Sequence, residues 1–309
     1  MSRDVAYFPG CSLKTIDRAY DVSTRLVARD LGLRLVEVED YACCGAGELK
    51  GNGVYSYYLP ARNLGHLLRQ GQTEVMVSCN VCYHELSRAA YAWTHQAQIG
   101  EQINDMLRTA GEPPVTQSAS VRNTLDYFIN NVGLEAIARR VVRPLTGLRV
   151  APYYGCLYHR PQAMVSSVQV AGEHPEHPHF MHDVLRALGA EIIAHPAETT
   201  CCGGKNLLSD EAIAGRLTGR ILSQAKAAGA EVLSLMCPKC AGGLDALQPR
   251  AVKAVGEGAR LPVVYYTQLM AVAFGHSPEA SGLREMESGA MAVVGRLAHR
   301  AASPAPIGG

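Results

Sequence analysis

The alternation of apolar and polar positions along the chain predicts short buried strands between longer amphipathic helices. Strands are expected at six β-rich runs, residues 5–8, 35–38, 74–77, 150–154, 191–193 and 231–236. Helices are expected at residues 15–31, 59–69, 181–188 and 211–228, with Gly32, Gly71, Gly189 and Gly229 at their carboxyl ends. Strands that alternate with helices are typical of βαβ units, so the pattern predicts an α/β fold with mostly parallel sheets.

The ten cysteines divide the chain into two copies of one pattern. The first five are Cys11, Cys43, Cys44, Cys79 and Cys82, and the second five are Cys156, Cys201, Cys202, Cys237 and Cys240. In both copies 34 residues separate the adjacent pair from the Cys-x2-Cys motif, and glycine follows the pair. The first spacer differs, with 31 residues in one copy and 44 in the other. A repeat of this kind indicates duplicated domains, here Rossmann-like and related by an approximate twofold axis.

The repeat also predicts where the domains begin and end. Residues 121–133 resemble residues 263–275, so both copies are expected to finish with corresponding elements. We therefore predict a first domain at residues 1–147, a second at 148–275 and a tail at 276–309 whose end is disordered. Residues 83–114 are expected to form a helix and a loop that only the first copy has.

Composition excludes several classes of function. With 29 Lys+Arg against 28 Asp+Glu and 6% aromatic residues, the chain has neither the charge nor the stacking surface of a nucleic-acid binder. It also shows no secretory signal and no apolar run of about 20 residues. We expect a cytoplasmic protein without direct membrane insertion. In that reducing compartment, ten cysteines favour metal ligation or redox chemistry over disulfides.

The number of thiols limits the choice of metal. Because sites in parallel sheets gather at the carboxyl ends of the strands, the five cysteines of each half are expected to converge there. A structural zinc ion takes four ligands and would leave one cysteine of each half idle, whereas sulfur-rich ligation also suits iron–sulfur clusters. Zinc in one of the two domains, and buried inert cysteines, remain alternatives.

The motifs Cys43-Cys44-Gly45 and Cys201-Cys202-Gly203, together with the other six cysteines, resemble the CCG-domain repeats in the B subunit of heterodisulfide reductase. The resemblance spans about residues 3–275. It implies that the ten cysteines ligate two non-cubane [4Fe-4S] clusters, which bind and cleave a disulfide between them. The chain departs from the family in its long second spacer and in a 34-residue spacer that is one residue short of the commonest length.

Missing motifs indicate that electrons arrive from, or leave to, another subunit. The chain has no Gly-x-Gly-x-x-Gly after a strand and no cysteine run for an ordinary cubane cluster. The resemblance implies two partners, a ferredoxin-like iron–sulfur subunit (the C type) and a flavin-containing subunit (the A type).

A few other polar residues are candidates for the site. His159 and Arg160 follow Cys156 closely and are candidate catalytic residues, as a proton donor and an anion-binding group, or else a satisfied loop pair. The segment 174–182 holds four histidines and is either a metal or proton-transfer site or a surface loop. Lys205 and Lys239 raise a cluster potential, dock a partner, or are solvated surface lysines.

The favoured hypothesis is the catalytic subunit of a heterodisulfide-reductase-like complex, an oxidoreductase that acts on disulfide, thiol, lipoate-bound or persulfide sulfur. A bacterial sulfur-oxidising complex of this type fits the Ala- and Arg-rich composition. The alternative is an electron-transfer or anchoring subunit of a succinate dehydrogenase- or fumarate reductase-like complex, which carries similar repeats. A zinc-stapled scaffold is the third possibility. The sequence leaves the substrate, the direction of electron flow and the subunit stoichiometry open.

Overall fold

The β-rich runs form two four-stranded parallel sheets in the computed structural model of the chain, which describes residues 2–46, 51, 53–160 and 172–300. The first sheet consists of β1 Arg3–Phe8, β2 Leu33–Glu37, β3 Glu74–Val77 and β4 Ser120–Asn123. The second consists of β5 Arg149–Tyr153, β6 Glu191–Ile192, β7 Val232–Leu235 and β8 Val263–Tyr265. The strand orders, β2-β1-β3-β4 and β6-β5-β7-β8, are equivalent. The predicted α/β fold with duplicated parallel sheets is confirmed.

Helices cover the sheets and connect their strands. In chain order they are α1 Arg18–Asp30, α2 Tyr58–Arg69, α3 Asn80–His95, α4 Ala97–Thr109, α5 Thr124–Tyr127, α6 Leu134–Arg139, α7 Phe180–Ala187, α8 Glu211–Ala227, α9 Pro238–Ala241, α10 Gln248–Val255, α11 Tyr266–Ala273 and α12 Ala290–Arg300. No helix in the described ranges has the length and apolar character needed to cross a bilayer.

The segment peculiar to the first half contains two helices, α3 and α4, where the sequence predicted a helix and a loop. Helix α4 buries Ile103 and Leu107, which lie four residues apart on one face and pack in a small cluster with Ala61 and Val115. This i,i+4 spacing is the signal that the sequence-based prediction missed.

The two halves share one hydrophobic core. Helix α1 of the first half packs on α11 of the second, where the rings of Tyr20 and Tyr265 stack with centroids 4.2 Å apart. At the same interface the buried hydroxyls of Ser23 and Thr267 lie 2.8 Å apart. The equivalent helices, α7 of the second half and α5 of the first, also pack together, as an approximate twofold axis requires. The boundary expected after residue 147 stays a prediction.

The tail contributes more to the core than its sequence indicated. Leu283, Ala290 and Val294 are fully buried. The Asp245 carboxylate accepts hydrogen bonds from the backbone N–H groups of Glu287 and Ser288, at 3.0 and 2.8 Å. The predicted disorder at the end of the tail includes residues 301–309, which lie outside the described residues.

Candidate functional site

The cysteines of both halves follow the carboxyl ends of equivalent strands. Cys11 follows β1, the pair Cys43 and Cys44 follows β2, and Cys79 precedes the first turn of α3 after β3. The second half repeats this arrangement after β5, β6 and β7. The five thiols of each half therefore lie at one edge of their sheet, as the topology of parallel sheets predicts.

Sulfur atoms within each half contact one another. Cys43 Sγ lies 3.8 Å from Cys11 Sγ, and the side chain of Cys44 interacts with those of Cys43 and Cys82. In the second half, the side chain of Cys201 interacts with that of Cys156, and the side chain of Cys240 interacts with those of Cys202 and Cys237. The Cys11–Cys43 and Cys156–Cys201 pairs are equivalent under the repeat, and so are the Cys44–Cys82 and Cys202–Cys240 pairs. The two halves thus build the same arrangement of donors.

One contact joins the two groups of cysteines. The side chains of Cys79 and Cys237 interact with each other across the interface between the halves. These two residues occupy the same position in the repeat, so their contact lies at the approximate twofold axis. Both groups of cysteines therefore border a single region of the molecule.

The cysteines within each half differ in their exposure to solvent. All ten cysteines have free thiols; Cys11, Cys43 and Cys201 are exposed and Cys156 is half-buried. The other six are buried, as cysteine side chains commonly are. Each group therefore has both solvent-exposed and buried thiols.

The donor set fits a cluster of several metal atoms. All five cysteines of the second half line one cavity of about 330 Å³, which also touches Asn80 and Val81 of the first half. Among the described residues, no group of three or more His, Cys, Asp or Glu side chains is positioned to hold a single metal ion. Five soft thiol donors around a shared space match the ligand type of an iron–sulfur cluster.

Two glycines give the inner cysteines room. Gly10 and Gly155 have φ angles of +75° and +73°, which disfavour any other residue. A Cβ atom on Gly10 would lie 2.8 Å from Cys82 Sγ, and one on Gly155 would lie 3.3 Å from Cys240 Sγ. A side chain at either glycine would therefore adopt a disfavoured backbone conformation and crowd the last cysteine of the same half, more closely at Gly10 than at Gly155.

The exposed cysteine of each adjacent pair has a lowered pKa. Gly203 N–H donates to Cys201 Sγ at 3.4 Å and Gly204 N–H to Cys202 Sγ at 3.3 Å. Hydrogen bonding from Cys156, together with Gly203 N–H, lowers the pKa of Cys201 to about 6. Hydrogen bonding from Cys11 and then Cys44 lowers the pKa of Cys43 to about 2, whereas the pKa values of Cys11, Cys44 and Cys156 are raised by their thiol neighbours. The thiolate is the metal-binding form of cysteine, so the lowered pKa values favour ligation by Cys43 and Cys201.

Asn80 connects the two halves beside these cysteines, and the sequence-based reasoning missed it. Its buried side-chain amide donates to the backbone oxygen of Tyr154 at 2.8 Å and accepts from Asn123 Nδ2 at 3.0 Å. A comparison of the two Cys-x2-Cys motifs would have drawn attention to it, because the second copy has Pro238 at this position.

His159 and Arg160 lie in different environments. His159 is buried among Tyr154 and Tyr158, and neither ring nitrogen has a hydrogen-bond partner among the described residues. Burial lowers its pKa to about 3, so the ring is neutral at physiological pH. Arg160 is exposed and pairs with Glu176 at 3.1 Å. Their proposed roles as proton donor and anion-binding group therefore stay predictions.

The histidines of segment 174–182 are used in separate contacts. His182 donates to or accepts from Tyr154 Oη at 2.7 Å and lies 3.3 Å from Glu198. His179 pairs with Asp183 at 2.7 Å, whereas His174 accepts backbone hydrogen bonds from Glu176 and His177. The contacts give the loop before α7 a structural role.

Lys205 and Lys239 line the cavity of the second half. Both side chains are exposed, and the charge of Lys205 contributes to the lowered pKa of Cys201. The position equivalent to Lys239 in the first half is Val81, which also lines the cavity. The second half therefore contributes two cationic side chains to this cavity, and the first half contributes none.

Comparison with known proteins relates this arrangement to a family. The family model of the CCG cysteine-rich domain matches residues 5–87 and 150–245, one match in each half. A solved structure of a hypothetical protein from Helicobacter pylori aligns with a TM-score of 0.71 at 13% identity, over 93% of this chain and 52% of that chain. The chain thus spans about half of that solved protein, and the likeness concerns the fold alone.

Curated relatives match over nearly the whole chain. The membrane anchor subunit of 8-methylmenaquinol:fumarate reductase from Wolinella succinogenes is 30% identical over 92% of this chain and 96% of its own length. The B subunit of the ferredoxin/F420H2-dependent CoB-CoM heterodisulfide reductase from Methanosarcina acetivorans is 26% identical, over 91% and 92%. A heterodisulfide reductase B-subunit-like protein from Archaeoglobus profundus is 26% identical, over 88% and 91%. These matches confirm the resemblance that the cysteine pattern indicated, and the chain belongs to the CCG family of cysteine-rich proteins, with two copies of the domain in tandem.

Proposed function

We propose that this chain is the catalytic iron–sulfur subunit of a heterodisulfide-reductase-like complex. Its ten cysteines would ligate two non-cubane [4Fe-4S] clusters, five thiolates to each. The observation that carries the proposal is the contact between Cys79 and Cys237, because it brings the two donor sets to one region. Two sites that served separate electron-transfer steps would not need equivalent cysteines in contact.

The reaction that fits this arrangement is the two-electron interconversion of a disulfide and two thiols. A disulfide takes up two electrons and two protons as its sulfur–sulfur bond breaks, and two thiols result. Iron–sulfur clusters supply one-electron redox chemistry next to the substrate sulfurs. Two one-electron sites on either side of a disulfide match this stoichiometry.

The chain's own residues hold and orient the reacting region. Gly10 and Gly155 allow the inner cysteines to approach the backbone, and Asn80 fixes the first half against the second. Lys205 and Lys239 place positive charge at the cavity, where they would attract an anionic substrate arm or an acidic partner surface. Fixed donors around a shared space lower the entropic cost of holding two sulfurs in place.

Partners and location follow from the same proposal. Electrons would pass between this chain and two partners, a ferredoxin-like iron–sulfur subunit of the C type and a flavin-containing subunit of the A type. A disulfide, thiol, lipoate or persulfide carrier would be the substrate. We propose a cytoplasmic complex that reaches any membrane through a partner, since ten free thiols suit a reducing compartment.

The proposal is tested on the protein purified without oxygen. Iron, acid-labile sulfide and zinc are quantified per chain. In a second experiment, the complex is isolated through a tag on this chain, and its oxidation of reduced viologen is measured with each of a panel of disulfides as the electron acceptor. We expect about eight irons per chain and disulfide-dependent oxidation. Stoichiometric zinc without labile sulfide would contradict the proposal.

A second candidate is an electron-transferring or anchoring subunit of a fumarate-reductase-like complex. It is favoured by the 30% identity to the Wolinella succinogenes anchor subunit. The same tagged complex distinguishes the two functions, because fumarate replaces the disulfide as electron acceptor in the assay. Oxidation of viologen with fumarate and with no disulfide would favour this second function.

A further inference from the structure

A histidine of α7 connects the two segments that lead into cysteines of the second half. His182 Nδ1 lies 2.7 Å from Tyr154 Oη, and His182 Nε2 lies 3.3 Å from a carboxylate oxygen of Glu198. Tyr154 lies two residues before Cys156, and Glu198 lies three residues before Cys201. The three side chains therefore form a chain of contacts between the approaches to two of the five thiols.

The hydrogen bonds of this chain run in one direction. Tyr154 Oη accepts the backbone N–H groups of Met181 and His182, at 3.0 and 3.3 Å. A hydroxyl that accepts two hydrogen bonds has only its proton left to use, so it donates that proton to Nδ1 of His182. The ring proton of His182 is then on Nε2, from which it is donated to the Glu198 carboxylate. Each side chain of the chain thus has a defined partner on either side.

Backbone bonds join the same two segments. The N–H groups of Tyr154 and Gly155 donate to the backbone oxygen of Glu198, at 2.8 and 3.2 Å. The second carboxylate oxygen of Glu198 accepts the N–H of His195 at 3.2 Å, and His195 Nε2 donates to the backbone oxygen of Pro152 at 3.0 Å. The end of β5 and the loop before the adjacent cysteine pair are therefore joined by backbone and side-chain bonds together.

The first half anchors its adjacent cysteine pair differently. At the positions equivalent to the tyrosine and the glutamate it has Pro9 and Asp40. Proline has neither a hydroxyl nor a backbone N–H, so neither kind of bond from this position can form. Instead, Asn63 of α2 binds both backbone groups of Ala42, accepting from its N–H at 2.8 Å and donating to its oxygen at 3.0 Å. The chain through the histidine thus serves the second half.

We propose that His182 and Glu198 are positioning residues for the iron–sulfur site of the second half, and that they fix Cys156 relative to Cys201 through Tyr154. The inference rests on the proposed function, because it requires a cluster at the second group of cysteines. Removal of a group that orients metal ligands through hydrogen bonds typically costs about 10–100-fold in metal affinity. The effect should be confined to the second site, because these bonds join segments of the second half alone.

Four variants separate the hydrogen bonds from the packing. His182→Phe keeps a ring of similar size without hydrogen-bonding nitrogens, and Glu198→Ala removes the carboxylate but keeps the backbone oxygen. His182→Gln keeps one donor and one acceptor and is the conservative variant. His177→Phe is the matched control, because His177 is an exposed histidine of the same segment.

The measurement is the rate at which the anaerobic full chain releases iron to a chelator. Each variant is combined with Cys44→Ala, which retains the second site, and with Cys202→Ala, which retains the first. With Cys44→Ala, His182→Phe and Glu198→Ala should each release iron on the order of tenfold faster, and both together no faster than either alone, because they break one chain of bonds. His182→Gln should restore most of the difference, and His177→Phe should have no effect. With Cys202→Ala, all rates should stay the same.

Electron paramagnetic resonance of the chain with all ten cysteines gives a second readout. Only the signal that Cys202→Ala removes should change its line shape in His182→Phe, and His182→Gln should return it toward the wild-type shape. This readout decides the question if either cysteine variant loses both clusters or does not fold, which far-UV circular dichroism would reveal.

The possible results separate this inference from the proposed function. A wild-type chain without iron and sulfide overturns both. In a chain with two clusters, an unchanged second site in His182→Phe, or an equal effect on both sites, overturns the inference alone. So does a His182→Gln variant that releases iron as fast as His182→Phe, since ring packing would then hold the loop. Faster release from the second site only, reversed in His182→Gln, supports the inference.

Discussion

Cys79 and Cys237 hold the same position in two copies of one domain, and their side chains interact across the interface. Contact between equivalent residues brings the two groups of cysteines to one region of the molecule. The first half gives Asn80 and Val81 to the cavity that the cysteines of the second half line. The surroundings of the second group of cysteines therefore include residues of the first half.

Loss of one inner cysteine should empty one site. Cys44→Ala and Cys202→Ala each remove a donor that interacts with a second cysteine of the same half. We expect the iron content to fall from about eight to about four per chain in either variant, with one of two magnetic signals lost. Iron quantification and electron paramagnetic resonance measure this result. Loss of both signals in a folded variant would show that the two sites assemble only together.

The shared core should unfold as one unit. The buried hydroxyls of Ser23 and Thr267 connect α1 and α11 at 2.8 Å. In a double-mutant cycle of Ser23→Ala and Thr267→Val, we expect a coupling free energy of about 0.5–1.5 kcal/mol in one denaturant transition. Two separate transitions, of which each mutation moves one, would indicate halves that fold independently.

The tail should be part of the folded protein. Leu283 is fully buried, and Leu283→Ala should lower the free energy of unfolding by about 2–5 kcal/mol. Leu208 is 97% exposed and provides the matched control, for which a change within about 0.5 kcal/mol is expected. Chemical denaturation of both variants without oxygen measures the difference. Equal effects would mean that the tail does not pack on the core in solution.

His159 should make the protein sensitive to acid. Burial lowers its pKa from the ordinary value of 6.5 to about 3, so the unfolded chain binds a proton in this range that the folded chain does not. Stability conferred by the neutral ring is therefore lost as the pH falls below about 6.5. We expect the wild type to lose up to about 1.4 kcal/mol per pH unit relative to His159→Phe between pH 6 and 5.

Denaturant titrations of the anaerobic holoprotein at several pH values measure this effect, since acid damage to a bound cluster is common to both chains. His177→Phe is the control, because His177 is exposed. Parallel pH profiles for the wild type and His159→Phe would show that His159 is protonated in the folded state.

The repeat explains why much of the fold was predictable. Equivalent strand runs and cysteine spacings predict two equivalent sheets. They also predict a site at the carboxyl ends of the strands, because binding sites in open parallel sheets lie at that edge. The packing of α4 was missed because Ile103 and Leu107 lie in a polar segment. Leu283 and Val294 were missed because short apolar patterns near a chain end have no fixed partner in the sequence.

The contacts across the interface were beyond sequence reasoning for a different reason. The hydrogen bond from Asn80 to Tyr154 joins residues 74 positions apart. Its formation depends on how two sheets pack, which local propensity does not determine. The difference between Asn80 and Pro238, by contrast, is visible in the aligned repeats. Only the structure shows that Asn80 binds the backbone of the other half.

The central claim, that two cluster sites face one shared region, is tested most directly by iron-edge anomalous diffraction from crystals grown without oxygen. We expect two groups of iron sites in each chain, one within each set of five cysteines, both opening toward the contact between Cys79 and Cys237. A single group of iron sites, zinc in place of iron, or two groups that open on opposite faces of the molecule would contradict the claim.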